Sequence, residues 1–238
     1  MKYDYIIVGA GSAGCVIANR LSEDPSTQVL LIEAGGSDRR FFIQMPIGYG
    51  VTYHQKAVNW MYMTEPSPDA DNKPSYWPRG KVMGGSSSIN AMVYVRGNPK
   101  DFDQWSEAGN PGWSYSDVLP YFKKMESWQN GPDDYRGGDG PLNVSEVSRQ
   151  LHPLCQNFLS AAQEIGIGLN KDMNGATQEG VGNYQITTHK GQRMSSSRAY
   201  LWPIKGRTNL TIIKNAQATK ILTQDKKAFG IEYKKSGK

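Results

Sequence analysis

Residues 3–33 constrain this chain more than any other stretch. Tyr3-Asp4-Tyr5-Ile6-Ile7-Val8 is a strand-length run rich in β-branched and aromatic residues. It leads directly into Gly9-Ala10-Gly11-Ser12-Ala13-Gly14 and then into Cys15-Val16-Ile17-Ala18-Asn19-Arg20-Leu21, which reads as helix. A second apolar run, Gln28-Val29-Leu30-Leu31-Ile32, ends on Glu33. Strand, glycine turn, helix, strand and terminal acid together predict the front half of a dinucleotide-binding βαβ unit. Gly9 lets the chain leave the strand sharply, Gly11 admits a pyrophosphate to the backbone, and Gly14 allows close helix–sheet packing. The helix start offers free N–H groups and a partial positive charge, worth roughly 0.3–1 kcal/mol per favourable charge contact. Glu33 stands where a carboxylate can take the hydroxyls of an adenosine ribose.

Composition narrows the remaining choices. The chain has 238 residues with 26 glycines and 13 prolines, and 11% aromatic content implies ordered loops in place of disorder. No stretch approaches the ~20 consecutive apolar residues of a membrane span. The first strand follows Met1 too closely for a leader peptide, so a cytoplasmic location, free or peripheral to a membrane, is expected. Cys15 and Cys155 read as buried small hydrophobes, and His54, His152 and His189 show no ligand spacing, so no metal site is expected. A net charge of +5 is spread along the chain in short runs and predicts a solvated surface, with no nucleic-acid partner.

Beyond Glu33 the chain loses periodicity from Asp38 to about Pro78, and the aromatic residues there are expected to pin this long segment to the body. Arg79-Gly80-Lys81-Val82-Met83-Gly84-Gly85-Ser86-Ser87-Ser88-Ile89-Asn90 follows, a turn rich in N–H and hydroxyl donors suited to a polar or anionic ligand. Asp117 is the expected N-cap of a helix through Met125, which places Pro120 at the third helical position. Leu151, Leu154, Cys155, Phe158, Ala162 and Ile165 recur at helical spacing before Gly166. The last forty residues predict three strands, Asn209–Lys214, Ala218–Thr223 and Phe229–Lys234, joined as an antiparallel meander.

Two motifs together carry a resemblance. Gly9-x-Gly11-x-x-Gly14 with Glu33-Ala34-Gly35-Gly36, and Gly80 through Asn90, resemble the first two landmarks of the glucose-methanol-choline (GMC) flavoprotein oxidoreductases. Asn59-Trp60, Arg96-Gly97, Gly112-Trp113-Ser114-Tyr115, Gln178-Glu179-Gly180 and Ala199-Tyr200-Leu201 extend it over nearly the whole chain, toward the choline-dehydrogenase-like alcohol dehydrogenases. The resemblance implies an α/β fold: a Rossmann-like, glutathione-reductase-like FAD-binding domain with an antiparallel β-meander, plus the start of a substrate-binding domain. Residues 1–150 and 196–238 would form the FAD-binding part, discontinuous and incomplete, and 151–195 the first part of the substrate-binding domain.

By the same resemblance the cofactor is FAD. Gly9, Gly11, Ser12 and Gly14 would meet the pyrophosphate, Glu33 the ribose, and Ala218 the adenine. Gly84, Gly85, Ser86 and Asn90, with Met92 just beyond, would lie along the flavin, and Ala34 and Gly80 complete the set. Ile89 occupies the position at which some members carry a flavin-linked histidine, which implies non-covalent FAD. The family's catalytic histidine and its partner match no residue here and are expected past Lys238, in a longer chain of which this is the cofactor half. The implied activity is oxidation of the CH–OH group of a small alcohol by hydride transfer to flavin. Whether oxygen, a quinone or another acceptor takes the electrons stays open. A hydroxynitrile-lyase-like protein or a truncated, non-catalytic nucleotide-binding fragment are the alternatives, and a nicotinamide dehydrogenase has no use for the Gly84–Asn90 turn.

Overall fold

A computed structural model describes residues 2–235. Contacts divide it into two compact units, Met1–Ala91 with Gly191–Lys238, and Met92–Lys190. The division by contacts falls at other places than the functional boundaries expected after residues 150 and 195.

The first unit is built on strand β1 (Tyr5–Val8), helix α1 (Ser12–Leu21) and strand β2 (Val29–Ile32). Strand β3 (Leu210–Ile213) completes a three-stranded parallel sheet in the order β1-β2-β3. Tyr5 stands opposite Val29 and Val8 opposite Ile32, while Leu210 and Ile213 meet the same two residues from the other side. All four residues of the central β2 are buried, each contributing about 1.5–3 kcal/mol relative to exposure. A continuous apolar run is what a parallel strand covered on both faces requires.

The expected three-stranded meander is corrected. Its first strand is β3, which joins the parallel sheet, and only β4 (Ala216–Gln224) and β5 (Lys227–Lys235) pair antiparallel. Asn215, at φ 55°, turns the chain between β3 and β4. The N–H groups of Asn215 and Ala216 are taken by the carbonyls of Gly35 and Glu33, which fixes the exit from the sheet. The β4–β5 loop places Asp225 and Lys226 both at positive φ, the pair of angles a two-residue type I′ hairpin demands.

The segment from Asp38 to Pro78 is not structureless. It holds short helices Phe41–Gln44 and Tyr49–Thr52 and a two-residue ladder, Tyr62–Met63 against Tyr76–Trp77. Nor do most of its aromatics anchor it. Phe41, Phe42, Tyr49, Tyr62 and Trp77 are all exposed, while Ile43 and Val58 pack with Val82 and Ile89 in a buried aliphatic cluster. The aliphatic side chains fit a small core that a broad ring would overfill.

In the second unit, α2 (Pro99–Glu107) is capped by Asn98, and α3 (Tyr115–Met125) begins with a reciprocal box between Ser114 and Asp117. Ser114, not Asp117, is therefore the cap, and Pro120 falls inside the helix, where it removes one intrahelical bond. Helix α4 (Pro153–Glu164) buries Leu159 and Ala162 against Val181. Of the expected stripe Ala162 is buried, but Leu154, Phe158 and Ile165 are exposed, and Leu159 takes the place expected of Phe158. Cys155 is half-buried and Cys15 fully buried. Burial pushes the Cys15 thiol up to about 12, and it donates to the carbonyl of Ala10. None of the described helices is long and apolar enough to cross a membrane.

Candidate functional site

The N-terminus of α1 opens off the end of β1. Gly11 is its N-cap in extended conformation, with no capping side chain and no acid in the first turn. Cys15 makes the first intrahelical bond, to the Gly11 carbonyl, so the amides before it point out along the axis with the positive end of the helix dipole. The turn is held tight from below. A Cβ on Gly14 would stand 2.0 Å from the Gly9 carbonyl oxygen, and Gly9 itself has φ +93°. Around Gly11 nothing lies within 4 Å of such a Cβ, so that face of the backbone is open to a ligand.

Glu33 closes the turn from the end of β2. One carboxylate oxygen accepts from the Ala10 N–H at 2.8 Å and the other from the Gly35 N–H at 2.8 Å. It is 6% exposed, and burial raises its pKa against the opposing pull of those two amides and the Lys81 charge. Each oxygen keeps lone-pair capacity for a further donor. The carboxylate therefore organises the glycine turn as well as facing the cavity beside it.

The second motif is seated on the first. The Gly84 N–H donates to the Ala10 carbonyl at 2.7 Å, and a Cβ on Gly85 would come within 2.7 Å of Gly11 Cα. Gly80 donates to Ser86 Oγ at 3.1 Å, and Ser87 Oγ to the Gly84 carbonyl at 2.6 Å. Two turns 70 residues apart in sequence thus form one rim.

That rim borders a cavity of about 590 Å³, within the ~300–1,000 Å³ range of small-molecule sites. Gly9, Gly11, Ser12, Glu33, Ala34, Gly80, Gly85, Ser86 and Ala218 all line it. The remaining four residues do not. Gly14 is buried beneath the turn, and Gly84 is spent on the contact with Ala10. Asn90 is exposed beyond the turn and accepts from Arg193. Met92, buried at φ 64°, begins the other unit.

Sequence reasoning missed Trp60, Tyr62, Arg79 and Gln217, which also line the cavity. Trp60 and Tyr62 stack at 5.8 Å, and the Lys81 ammonium sits 4.4 Å over the Trp60 ring. Asn59, 1% exposed, sets this up: its carbonyl oxygen accepts from the amides of Met61 and Arg79, and its amide donates to Tyr53 O and Tyr76 Oη. The sequence signal was the Asn59-Trp60 pair, in which a buried amide fixes the turn that presents the ring.

Histidines take structural parts. His54 stacks on Tyr76 at 5.6 Å, and His152 Nδ1 accepts from the Leu154 amide at the start of α4.

A cavity at the helix N-terminus of a βαβ unit, joined to a serine-rich second turn, is the architecture of a dinucleotide-binding site. Residues 3–238 match the GMC oxidoreductase family, and the chain belongs to it. It is 48% identical over 99% of its length to the oxygen-dependent choline dehydrogenase of Vibrio vulnificus, covering 42% of that protein. It is 50% identical over 97% of its length to an alcohol dehydrogenase (acceptor) of Pseudomonas putida, again covering 42% of it. Among solved structures, pyridoxine 4-oxidase from Mesorbium loti superposes with TM-score 0.95 at 32% identity, over 99% of this chain and 47% of that one. An FAD-dependent oxidoreductase from Chaetomium thermophilum gives TM-score 0.90 at 32% identity, over 98% of this chain and 42% of that one. The chain thus spans less than half the length of these relatives.

Proposed function

We propose that this chain forms the FAD-binding part of an oxidoreductase that oxidises the CH–OH group of a small alcohol. The observation that carries the reading is the convergence of both glycine motifs, Glu33 and Ala218 on one cavity. The residues fit the group on three counts: an uncapped helix N-terminus for a pyrophosphate, a buried carboxylate with free lone pairs for a ribose, and backbone open at Gly11 where a side chain would intrude. Names of relatives support it, since they are choline and alcohol dehydrogenases and an FAD-dependent oxidoreductase.

In this reading Gly9, Gly11 and Ser12 receive the pyrophosphate, with Gly14 keeping the turn close to the sheet. Glu33 and Ala34 meet the ribose, and Ala218 the adenine. Gly80, Gly84, Gly85, Ser86 and Asn90, with Met92, form the flavin side. Bound FAD supplies the hydride acceptor for the alcohol carbon. The chain's own residues bind, orient and exclude water; no catalytic base is assigned among them. The absence of a nucleic-acid partner belongs to the same reading, on the scattered basic residues.

FAD is held without a covalent bond in this reading, because Ile89 is a saturated side chain packed in the core with Ile43, Val58 and Val82. The protein carrying this chain should purify yellow, its flavin should bleach under a primary alcohol without oxygen, and acid precipitation should leave the colour in the supernatant. A colourless folded protein that binds NAD and ignores FAD would overturn the cofactor. Flavin retained through denaturing electrophoresis would overturn the non-covalent bond.

Glu33→Gln should weaken FAD binding at least tenfold, about 1.4 kcal/mol. An amide offers one acceptor oxygen and one donor nitrogen, so it cannot serve the Ala10 and Gly35 N–H groups and two ribose hydroxyls together. Flavin-fluorescence titration reads the change, and an unaltered dissociation constant would show that Glu33 serves the turn alone.

A further inference from the structure

Arg193 is a charged group committed to the Gly84–Asn90 turn. Its side chain is 0% exposed. Nε donates to the Ile43 carbonyl at 2.9 Å, and Nη1 to the Ser87 carbonyl at 3.2 Å and Asn90 Oδ1 at 2.8 Å. Nη2 donates to no atom among the described residues. No carboxylate pairs with it among them either.

The contrast with the other two buried arginines is informative. Arg96 and Arg136 each bind Glu126, and Arg136 binds Asp172 as well. That is the ordinary solution for a guanidinium removed from water. Arg193 is equally buried and has only neutral oxygens. Burial accordingly lowers its pKa to about 10, which still leaves it charged at neutral pH. A fixed cation with no counter-charge of its own, clamped to the Ser87–Asn90 end of a turn whose Gly85 and Ser86 line the cavity, is the arrangement expected where a ligand carries or develops the negative charge.

Its neighbours point the same way. The Ser196 N–H donates to Ser87 Oγ at 2.9 Å. A Cβ on Gly84 would lie 3.3 Å from Ser197 Cβ and 3.4 Å from Ser195 Oγ. The stretch from Arg193 to Ser197 thus braces the back of the turn, and Arg193 is the one member that brings charge.

We propose that Arg193 is a positioning residue that holds the Ser87–Asn90 end of the turn and supplies the uncompensated positive charge that favours reduced, anionic flavin. This rests on the reading that FAD lies along that turn. A flavin gains negative charge on reduction, so a nearby buried cation stabilises the reduced form more than the oxidised one, and its removal shifts the couple toward the oxidised form.

The test uses the flavin-loaded protein carrying this chain, with Arg193→Met, Arg193→Gln and Arg193→Lys, and measures the two-electron potential by dye equilibration. The neutral variant that retains FAD should have a potential lower by at least 30 mV, a tenfold change in the equilibrium constant for two electrons. Arg193→Lys keeps the charge without the planar fork and should stay within threefold of wild type. A merely structural clamp would not separate Lys from the neutral residues in this way. If a neutral variant holds FAD at the wild-type potential, the proposal is overturned. If both neutral variants lose flavin while Lys keeps it at near wild-type potential, the charge role is supported. If all three lose it, the charge role is overturned. Wild-type protein that binds no FAD would instead remove the reading beneath it.

Discussion

Gly14→Ala should abolish FAD binding and destabilise the first unit, while Gly11→Ala should abolish binding alone. The two glycines sit three residues apart and meet opposite surroundings. A methyl group on Gly14 would stand 2.0 Å from the Gly9 carbonyl oxygen and 3.1 Å from its carbon, with Ile7 Cγ2 at 3.4 Å. These first two neighbours are backbone, so no rotamer change relieves the overlap. Helix α1 would have to lift off β1, undoing the packing of the fully buried Cys15 and Ala18. Overpacking a core costs about 1–3 kcal/mol and occasionally more, and a backbone-to-backbone clash belongs at or above the top of that range. Gly11, by contrast, has φ −74°, which alanine adopts freely, and open space around its would-be Cβ. Its methyl group would stand only where a pyrophosphate must approach. Urea unfolding of the flavin-free protein should therefore separate the variants, with Gly11→Ala unchanged and Gly14→Ala shifted to lower urea. FAD titration should show at least a hundredfold loss for both. Wild-type affinity in Gly11→Ala would mean that no ligand approaches the turn there.

The βαβ unit was legible because each of its steps leaves a local mark. Apolar strands, glycines at fixed offsets and a terminal acid are all contiguous in sequence, and their mutual geometry is forced by covalent connection. The fate of Leu210–Ile213 was not legible in the same way. A short apolar run followed by Asn215 and another strand fits a hairpin as well as a parallel sheet, and the decision was made far away. Strand β2, paired with β1 along one edge, leaves its other edge open, and Leu210–Ile213 pair there in parallel. The same limit applied to α4, where two apolar stripes share one helix and the position of Val181 selects Leu159 and Ala162 over Phe158 and Ile165.

At the site, both glycine motifs could be read, but their contact could not. The Gly84 to Ala10 hydrogen bond and the nearness of Gly85 to Gly11 join segments that nothing in the intervening sequence ties together. At Glu33 the sequence points to a ribose, and the structure shows its carboxylate holding the turn through Ala10 and Gly35. Trp60 and Tyr62 stayed hidden because an aromatic in an aperiodic segment looks like an anchor. Their presentation depends on the buried Asn59 amide, whose four bonds span residues 53 to 79.

The other large effect is expected in the second unit. Glu126→Ala should destabilise the second unit by about 3–5 kcal/mol. Glu126 is 0% exposed and binds two arginines, Arg96 at 2.6 Å through one oxygen and Arg136 through the other, while also accepting the Gly137 N–H at 3.0 Å. Burial works against the Arg136 charge, and the bonds to Glu126 and Asp172 outweigh it, so its pKa is raised. The network extends outward. Asp172 also accepts from the Gln185 amide at 2.9 Å, and Asn174 ties Gln185 to the Tyr94 carbonyl and the Arg96 amide. Removing Glu126 leaves two guanidinium groups in the interior with one partly exposed carboxylate between them. Glu126→Gln keeps the volume and one acceptor, so it should lose less, which distinguishes missing charge from a cavity. With a urea slope near 3 kcal/mol per molar, the alanine variant should shift its midpoint by about 1 M or more. Tryptophan fluorescence is a suitable probe, because Trp128 is buried with the Arg136 guanidinium 4.1 Å above its ring. An alanine variant that unfolds with the wild type would mean that Arg96 and Arg136 reach water without Glu126, and that the network adds no stability.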